Sequence, residues 1–392
     1  MKLADQINCT GCGACKAICP KGAIQFVDGQ EGFPSPVIDP EKCISCGACT
    51  RACPALNKPE LHKIKECYAV QSKDRDALMR STSGAMFSVF AEAVFQNGGV
   101  VYGCVWDNDY NAVLRRAENR EQLLPMHGSK YVWSWAGDSY PDVKRDLHEG
   151  RRVLFAGLPC QVAGLRKYLG KEYENLVTVD FFCSGAPSPL VFKSWLKTIS
   201  GNGNLSELNL KFRDKNPNGV GVNITYKGSN TVKKKGQHIT NPYYYSFYTR
   251  LIDRLSCYQC QYGSDIRVSD LTLGDYWGVA NYHPNMNIRD GISALLINTD
   301  KGKTLFESVK ENVFIEPTMK ENIARANNLS IGKLRPYHKP ENREAFIQRV
   351  AADGWKSAER KYLYNTYRLM RLIKTRIPAK YISLAKRIIH RK

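Results

Sequence analysis

The sequence predicts an α+β protein built of three parts along the chain. Residues 1–58 are dense in cysteine, glycine and proline and contain an internal repeat. Residues 66–350 mix candidate strands and helices, and residues 355–392 are basic, with apolar residues at helical spacing. A chain of 392 residues suits two or three domains, and 43% hydrophobic residues is enough to bury real cores. We therefore expect a cysteine-rich module, a mixed α/β body and a basic helical C-terminal tail.

The N-terminal module carries one cysteine pattern twice. Three cysteines at two-residue spacing are followed by a fourth and a proline, in Cys9-x2-Cys12-x2-Cys15-x3-Cys19-Pro20 and again in Cys43-x2-Cys46-x2-Cys49-x3-Cys53-Pro54. Four thiolates must surround one [4Fe-4S] cube, and three of them can lie on one tight turn. Gly11, Gly13 and Gly47 give these turns their backbone freedom. The pattern predicts a ferredoxin-like dicluster module and resembles the two-cluster bacterial ferredoxins.

The repeat also predicts which cysteines act together, because the fourth cysteine of each run ligates the other cluster. Zinc is the alternative, but a zinc site needs two pairs separated by a loop rather than three cysteines in one run. One cluster is expected on Cys9, Cys12, Cys15 and Cys53, and the other on Cys43, Cys46, Cys49 and Cys19.

Composition bears on the compartment and on the partners. The chain has 14 cysteines but no apolar run long enough for a signal peptide or a membrane span. A reducing cytoplasm favours thiolate ligands over disulfides, so we expect a cytoplasmic protein. The net charge of +20 is compatible with nucleic acid, membranes or acidic partners.

Candidate elements of the body follow from short apolar runs and turn residues. Residues 57–66 are polar and indicate a linker. We predict helices over 85–96 and 302–311, strands over 100–105, 152–156, 177–182 and 294–299, and antiparallel strands over 205–213 and 220–226.

Four further cysteines lie in the body. Cys160 and Cys183 come just after apolar strands, where loops commonly carry function, and Cys257 and Cys260 form a Cys-x-x-Cys pair. Four cysteines are the right number for a third cube. On composition alone, buried structural thiols with an incidental pair, or a zinc site, stay open.

Six short sequences occur in the body in a specific order: Ser81-Thr-Ser-Gly84, Gly128-Ser-Lys-Tyr131, Gly157-Leu-Pro-Cys-Gln161, Phe182-Cys-Ser-Gly185, Cys257-Tyr-Gln-Cys260 and Ser269-Asp-Leu-Thr-Leu-Gly-Asp-Tyr-Trp-Gly278. Together they resemble the beta subunit of coenzyme F420 hydrogenase and dehydrogenase over residues 66–350. The resemblance implies a mixed α/β flavin- and cluster-binding body, with FAD, or FMN as the alternative, beside a third [4Fe-4S] cluster on Cys160, Cys183, Cys257 and Cys260. Cys67 and Cys104 would then be ordinary thiols.

The expected flavin contacts are six residues. Hydroxyl and N–H groups at a helix start suit a pyrophosphate, although an ordinary N-cap is the commoner meaning of such a sequence. The family usually has two glycines where this chain has Gly84-Ala85. Lys130 would stabilise an anionic reduced ring. The resemblance favours flavin contacts at Ser81, Ser83, Gly84, Ser129, Lys130 and Tyr131, with Arg80 as a further charge.

The sequence singles out no catalytic residue. Asp270, Asp275 and Trp277 would support the cluster or the substrate pocket. His127 and His283 are conceivable proton donors, but each is more simply a plain polar residue.

Two nucleotide-binding patterns are absent from the sequence. No G-x-G-x-x-G follows a strand, and there is no G-x-x-x-x-G-K-[ST]. We therefore expect electrons to come from a ferredoxin-type carrier or a partner redox subunit, not from a nicotinamide, and to reach a small organic acceptor. The expected function is an iron–sulfur flavoprotein oxidoreductase. The alternatives are a non-catalytic electron-transfer subunit and a zinc-dependent nucleic-acid-binding protein, for which no recognition motif is present.

The tail is the most basic part of the chain. Residues 355–392 hold twelve Lys or Arg against one acid, Glu359, and Pro378 divides the segment. Basic amphipathic helices bind anionic lipid, so we expect peripheral contact with the inner membrane face and none with nucleic acid. The alternative is a solvated helix that packs on the chain's own acidic surface.

Overall fold

The computed structural model describes residues 2–200, 205, 208–215, 223–227, 234–237, 241–331 and 338–363. The strands are β1 (Ile24–Asp28), β2 (Pro34–Ile38), β3 (His62–Lys63), β4 (Glu66–Ser72), β5 (Val100–Trp106), β6 (Ala112–Ala117), β7 (Ser134–Trp135), β8 (Val153–Ala156), β9 (Leu176–Phe181), β10 (Asn209–Lys211), β11 (Asn223–Lys227), β12 (Lys234–Gln237), β13 (Ile266–Arg267), β14 (Leu271–Asp275), β15 (Ser293–Ile297) and β16 (Val313–Pro317). The helices are α1 (Ala14–Ala17), α2 (Ala48–Arg51), α3 (Arg75–Arg80), α4 (Met86–Gln96), α5 (Arg120–Leu123), α6 (Ser139–His148), α7 (Pro159–Leu169), α8 (Pro189–Ile199), α9 (Pro242–Tyr248), α10 (Asp300–Glu307), α11 (Lys320–Ile331), α12 (Arg343–Asp353) and α13 (Trp355–Ala358).

The N-terminal module is a β-hairpin with two short helices. β1 and β2 pair antiparallel, with Ile24 opposite Ile38. α1 and α2 each begin after a glycine in the left-handed region, Gly13 at φ +85° and Gly47 at φ +75°. That conformation is costly for residues with a Cβ, which explains why both repeats place glycine there.

The body is built on a mixed sheet of nine strands, counted over the described ranges. Their order is β16-β4-β15-β14-β9-β8-β5-β6-β7. The four strands β14, β9, β8 and β5 are parallel in succession, whereas β4, β15 and β16 pair antiparallel. The expected mixed α/β architecture is confirmed.

Both faces of the central strands are covered, which explains their continuous apolar sequence. On β8, Leu154 joins a core that includes Phe90 of α4. The alternate residue Phe155 joins a second core on the opposite face, with Tyr140 of α6 and Leu165 of α7. Side chains alternate across a strand, so one short apolar run serves both cores.

The sheet positions two of the body cysteines. β8 and β9 are parallel neighbours, so their carboxyl ends meet at one edge of the sheet. Cys160 lies in the first turn of α7, four residues after β8, and Cys183 lies two residues after β9. Each of the two parallel strands is followed closely by a cysteine. Cys160 and Cys183 are therefore brought to the same edge of the sheet.

Most of the predicted elements are present within a few residues of their expected bounds. The predicted helix over 302–311 instead runs from Asp300 to Glu307, because Thr299 caps it: its hydroxyl accepts a hydrogen bond from the Gly302 amide at 3.2 Å. Inside the predicted linker, β3 pairs with β13. The predicted antiparallel pair is β10 with β11.

The first residues of the predicted tail pack on the body. Trp355, Ala358 and Leu363 are buried in a core with Trp195 of α8. Helical structure continues over Glu359–Leu363 as a π-helical turn. The remainder of the predicted tail, 364–392, lies outside the described residues. In the part of the chain that is described, no helix is both long and apolar enough to cross a membrane.

Candidate functional site

Three cavities in the molecule are each lined by at least four cysteines. The first, which we call the outer cavity, has a volume of about 340 Å³ and is lined by Cys19, Cys43, Cys46 and Cys49. Its mouth is open to solvent: Cys46 is exposed, and the Ile44 side chain beside it is 58% exposed. The Ala23 amide lies 3.3 Å from Cys19 Sγ and points its hydrogen at the sulfur.

The inner cavity, of about 360 Å³, is lined by Cys9, Cys12, Cys15 and Cys53. These are the four cysteines that the crossover rule groups together. Here the module lies tightly against the body. A Cβ added at Gly13 would lie 2.6 Å from the Gly137 Cα, and the Trp133 indole donates to the Thr10 carbonyl at 3.3 Å.

The body cavity is the largest of the three, at about 750 Å³. It is lined by Cys160, Cys183, Cys257 and Cys260, the four body cysteines. Thr10, Gly11 and Cys12 of the module line it too, so the inner and body cavities share one cysteine. Cys67 and Cys104 line none of the three cavities.

Each set of cysteine sulfurs lines a cavity and is not gathered round a site for a single metal ion. Among the described residues, no three His, Cys, Asp or Glu side chains are arranged to hold one metal ion. Burial raises the pKa of Cys12 to about 12 and that of Cys183 to about 11, and it also raises the pKa values of Cys53, Cys160 and Cys257. Thiolates, not thiols, bind iron, so ligation has to offset this desolvation. Each cavity has the four cysteines that an iron–sulfur cluster needs, and the body cavity has Cys12 in addition. Ligation itself stays a prediction.

The predicted phosphate-binding residues lie at the start of α4, but several of their polar groups already have partners. The Ser83 hydroxyl donates to the Ile292 carbonyl at 2.8 Å, and the Gly84 amide donates to Ser293 Oγ at 2.8 Å. Ala85, where the family usually has glycine, is in the left-handed region at φ +65°. No side chain caps the start of α4. The first turn of α4 therefore offers backbone N–H groups, which suit an anion better than the Ser83 hydroxyl does.

Lys130 lies in the second predicted motif. Its Nζ lies 3.0–3.3 Å from the carbonyl oxygens of Pro125, Met126, His127 and Gly128. Burial lowers the pKa of Lys130 to about 8. The Lys130 ammonium thus stabilises the turn formed by residues 125–128, and these contacts fix the position of the neighbouring Tyr131.

Two cations that sequence reasoning missed connect the predicted flavin motifs. Lys215 Nζ donates to the Ser83 carbonyl at 2.7 Å, and Arg213 donates to Tyr131 Oη at 3.3 Å. Arg213 also pairs with Asp275 at 2.6 Å and lies over the Trp277 ring at 5.2 Å. Both cations are buried. They follow a short strand in a polar stretch that matches no motif, so the sequence carried no signal for them.

Comparison with known proteins agrees with this layout. Residues 8–57 and, in an overlapping match, residues 35–89 match 4Fe-4S dicluster domains. Residues 150–322 match the family that comprises the C terminus of the coenzyme F420 hydrogenase/dehydrogenase beta subunit. The resemblance predicted from the sequence is thus confirmed for both parts of the chain. The chain is an iron–sulfur protein that has dicluster domains at its N terminus and a region similar to that beta subunit after them.

One curated relative and one solved structure illustrate the likeness. The chain is 25% identical over 328 residues to a coenzyme F420-dependent sulfite reductase from Methanocaldococcus jannaschii, a match that covers 80% of this chain. The chain spans about half (48%) of the length of that relative. A chain of the F420-reducing [NiFe] hydrogenase complex from Methanosarcina barkeri matches with a TM-score of 0.45 and 15% identity, over 77% of this chain and 92% of that one. That TM-score is too low to bear on function.

Within residues 150–322, two further motif residues, Gln161 and Asp270, have structural partners. Gln161 accepts from the Leu158 amide at 2.9 Å and donates to Ser134, which fixes the start of α7 next to Cys160. Asp270 is fully buried and accepts from the Thr178 amide at 2.8 Å and from its hydroxyl. These contacts position the elements that carry the cysteines.

The two histidines do not lie together. His127 Nε2 is 2.8 Å from Ser88 Oγ of α4, and burial lowers the pKa of His127. His283 Nδ1 is 2.6 Å from Glu316 Oε2 of β16. Each ring is occupied by an internal contact, which agrees with the plain polar interpretation.

Proposed function

We propose that this chain is an iron–sulfur flavoprotein oxidoreductase that passes electrons between a ferredoxin-type carrier and an organic acceptor. The observation that carries the proposal is the set of outer, inner and body cavities. Four cysteines line each of the first two, and four body cysteines together with Cys12 of the inner cavity line the third. When bound, [4Fe-4S] clusters and a flavin supply one-electron and two-electron chemistry. The residues of the chain hold these groups close together and in a fixed order.

We assign the ligands by cavity, in agreement with the predicted sets. The outer cluster would be held by Cys19, Cys43, Cys46 and Cys49, the inner by Cys9, Cys12, Cys15 and Cys53, and the body cluster by Cys160, Cys183, Cys257 and Cys260. Trp133 and Gly137 of the body contact the cysteine turn that lines the inner cavity, at Thr10 and Gly13.

The outer cavity is the proposed entrance for electrons. Exposed Cys46 and Ile44 give a carrier close access there, while the inner and body cavities adjoin each other at Cys12. A small carrier, or a redox subunit of a complex, would dock on this mouth.

The proposed flavin, FAD or alternatively FMN, lies between the start of α4 and residues 129–131. Buried Lys215 and Arg213 support this position, because fixed cations stabilise phosphate groups and an anionic reduced ring. Ser81, Ser83, Gly84, Ser129, Lys130 and Tyr131 remain the proposed contacts. The sulfite reductase relative depends on coenzyme F420, so we propose a conjugated acceptor of that kind.

Flavin release and turnover test the proposal. The anaerobically purified chain is denatured, and the supernatant is examined for FAD and FMN. We expect one flavin per chain, and we expect reduced ferredoxin to reduce F420 only when the flavin is present. A fully folded chain that is free of flavin and cannot be reconstituted would contradict the enzyme proposal.

That result would favour a second candidate, a non-catalytic electron-transfer subunit. The sulfite reductase relative is about twice the length of the matched region, so much of that protein has no counterpart here. Such a subunit would take up electrons from ferredoxin but would reduce F420 only with a partner present.

We also propose that the chain is cytoplasmic and that residues 364–392 bind the inner membrane face. This segment has nine Lys or Arg and no acid, and each basic residue near an anionic surface contributes about 1 kcal/mol. Co-sedimentation with anionic vesicles at low salt should require the segment. The truncated control should end at Leu363, because Trp355 and Leu363 are core residues. A full chain that ignores these vesicles would contradict the proposal.

A further inference from the structure

Arg254 lies between the inner cavity and the body cavity. Its Nε donates to the Cys9 carbonyl at 2.7 Å, and its Nη2 lies 3.7 Å from Cys9 Sγ. Nη2 also donates to the Pro34 carbonyl of β2 at 3.1 Å. The same side chain lines the body cavity, and the Cys257 amide donates to the Arg254 carbonyl at 2.9 Å. One residue of the body thus contacts a candidate ligand of each cavity.

The guanidinium of Arg254 is buried, since the residue is only 3% exposed. No carboxylate among the described residues forms an ion pair with it. Within the same described ranges, its Nη1 has no hydrogen-bond partner. The rings of Phe33 and Trp133, at 5.3 and 6.0 Å, compensate the charge only in part. A buried cation without a counter-charge is costly, so this arrangement calls for an anion in the adjoining cavities.

The surroundings are shaped to admit the guanidinium. A Cβ added at Gly11 would lie 3.0 Å from Arg254 Nη1 and 3.0 Å from Trp133 Nε1. Gly11 is also in the left-handed region, at φ +71°. The glycine between Cys9 and Cys12 therefore permits both the turn of the cysteine run and the close approach of Arg254.

We propose that Arg254 is the counter-cation of the inner and body clusters and a positioning residue that raises their reduction potentials. This inference rests on the proposed function, because it requires clusters in both cavities. Each added electron increases the negative charge of a thiolate-ligated cluster, and a fixed cation and an N–H···S contact stabilise that charge. Arg254 is itself neither oxidised nor reduced and gives up no proton; a guanidinium stays protonated in proteins.

Redox titration of the holoprotein, followed by electron paramagnetic resonance, tests the inference. Arg254→Gln should shift the inner and body potentials to more negative values and leave the outer potential unchanged. The outer signal is identified by its loss in Cys46→Ala. Arg254→Lys keeps the charge but loses the fork of N–H donors, so its shift should be smaller. Glu31→Asp is the matched control, since it weakens another contact between module and body, keeps the charge at that contact and involves no cysteine. All three potentials should stay as in the wild type.

A second measurement uses the unaltered chain, in case Arg254→Gln loses iron. Pulsed electron paramagnetic resonance of the reduced protein, labelled with ¹⁵N-arginine, should show a hyperfine coupling between a cluster and an arginine nitrogen. This coupling should disappear in Arg254→Lys. Absence of that coupling, or an Arg254→Gln variant with full iron content and wild-type potentials, would overturn the inference alone. A wild-type chain without iron would overturn the proposed function as well, and iron analysis distinguishes the two results.

Discussion

Arg343 and Glu31 form a two-point ion pair that joins α12 to the turn between β1 and β2. Nη1 lies 2.6 Å from Oε1, and Nη2 lies 2.7 Å from Oε2. The Arg343 side chain is fully buried and also donates to the Asp253 carbonyl from Nε and Nη2, at 3.0 and 2.6 Å. Ser188 of the body donates to the Glu31 carbonyl at 2.6 Å. The module is therefore fixed to the body at a second point, in addition to the Arg254 contacts.

Glu31→Gln should lower the free energy of unfolding by about 2 kcal/mol, because it removes the nearer of the two carboxylates beside the buried Arg343 guanidinium and leaves only Glu344, at 3.6 Å. Denaturant unfolding measures this. The control is Asp138→Asn, which breaks the exposed ion pair between Lys16 and Asp138. The Lys16 side chain is 42% exposed and that of Asp138 is 59% exposed, so the substitution should lower the free energy of unfolding by less than about 1 kcal/mol. Equal effects of the two substitutions would contradict the role of the buried pair.

Gly13→Ala should destabilise the folded chain by about 3 kcal/mol, since it adds overpacking to the cost of a left-handed alanine. The added Cβ would lie 2.6 Å from the Gly137 Cα. Gly22→Ala is matched in conformation, at φ +58°, but a Cβ there meets nothing within 4 Å. It should cost only about 1 to 2 kcal/mol, measured by the same unfolding experiment. If the two variants are equally stable, the close approach of module and body at Gly13 is wrong.

Lys215→Met should remove a specific dependence of stability on pH. Burial lowers the pKa of Lys215 from 10.5 to about 8. Below about pH 8 the penalty for burying the ammonium is present in full. Between the two pKa values the unfolded chain keeps a proton that the folded chain has released, so wild-type stability rises with pH relative to the variant. Unfolding at about pH 7 and about pH 10 measures the difference, with exposed Lys197→Met as the control. A difference that does not change with pH would contradict the burial of this charge.

Ile44→Glu should slow reduction of the chain by a ferredoxin-type carrier about tenfold, equivalent to about 1.4 kcal/mol. Ile44 is 58% exposed at the mouth of the outer cavity. Stopped-flow rates measure the effect, and reduction by a small chemical reductant should be unchanged. Phe314→Glu is the control, because Phe314 is 56% exposed on β16, outside the module. A carrier rate that stays at the wild-type value would place the entrance elsewhere.

The grouping of the cysteines could be predicted because ligand spacing acts locally. Because the fourth cysteine of each run ligates the other cluster, the repeat predicts that Cys53 acts with Cys9. Both residues line the inner cavity. The body set depended on the family resemblance, since Cys160 and Cys257 are far apart in the chain and only the sheet brings them together. The lining agrees with the predicted sets, while the role of each cysteine as a ligand stays a prediction.

Contacts that depend on the packing of distant segments could not be predicted. Arg254 is 245 residues from Cys9 and belongs to no motif. Trp355 looks like the start of a basic tail in the sequence, yet it is buried against α8. Ser83 resembles a free N-cap hydroxyl, yet the Ile292 carbonyl accepts its hydrogen. In each case tertiary packing decides the partner, and periodicity carries no information about it.

The central claim is that three sets of four cysteines each hold one cluster. Iron and acid-labile sulfide should be determined on the anaerobically purified chain and on Cys257→Ala, with Cys104→Ala as the control for a thiol outside the cavities. The account predicts about twelve iron atoms per wild-type chain, about eight in Cys257→Ala and about twelve in Cys104→Ala. About eight iron atoms in the wild type, unchanged by Cys257→Ala, would contradict it.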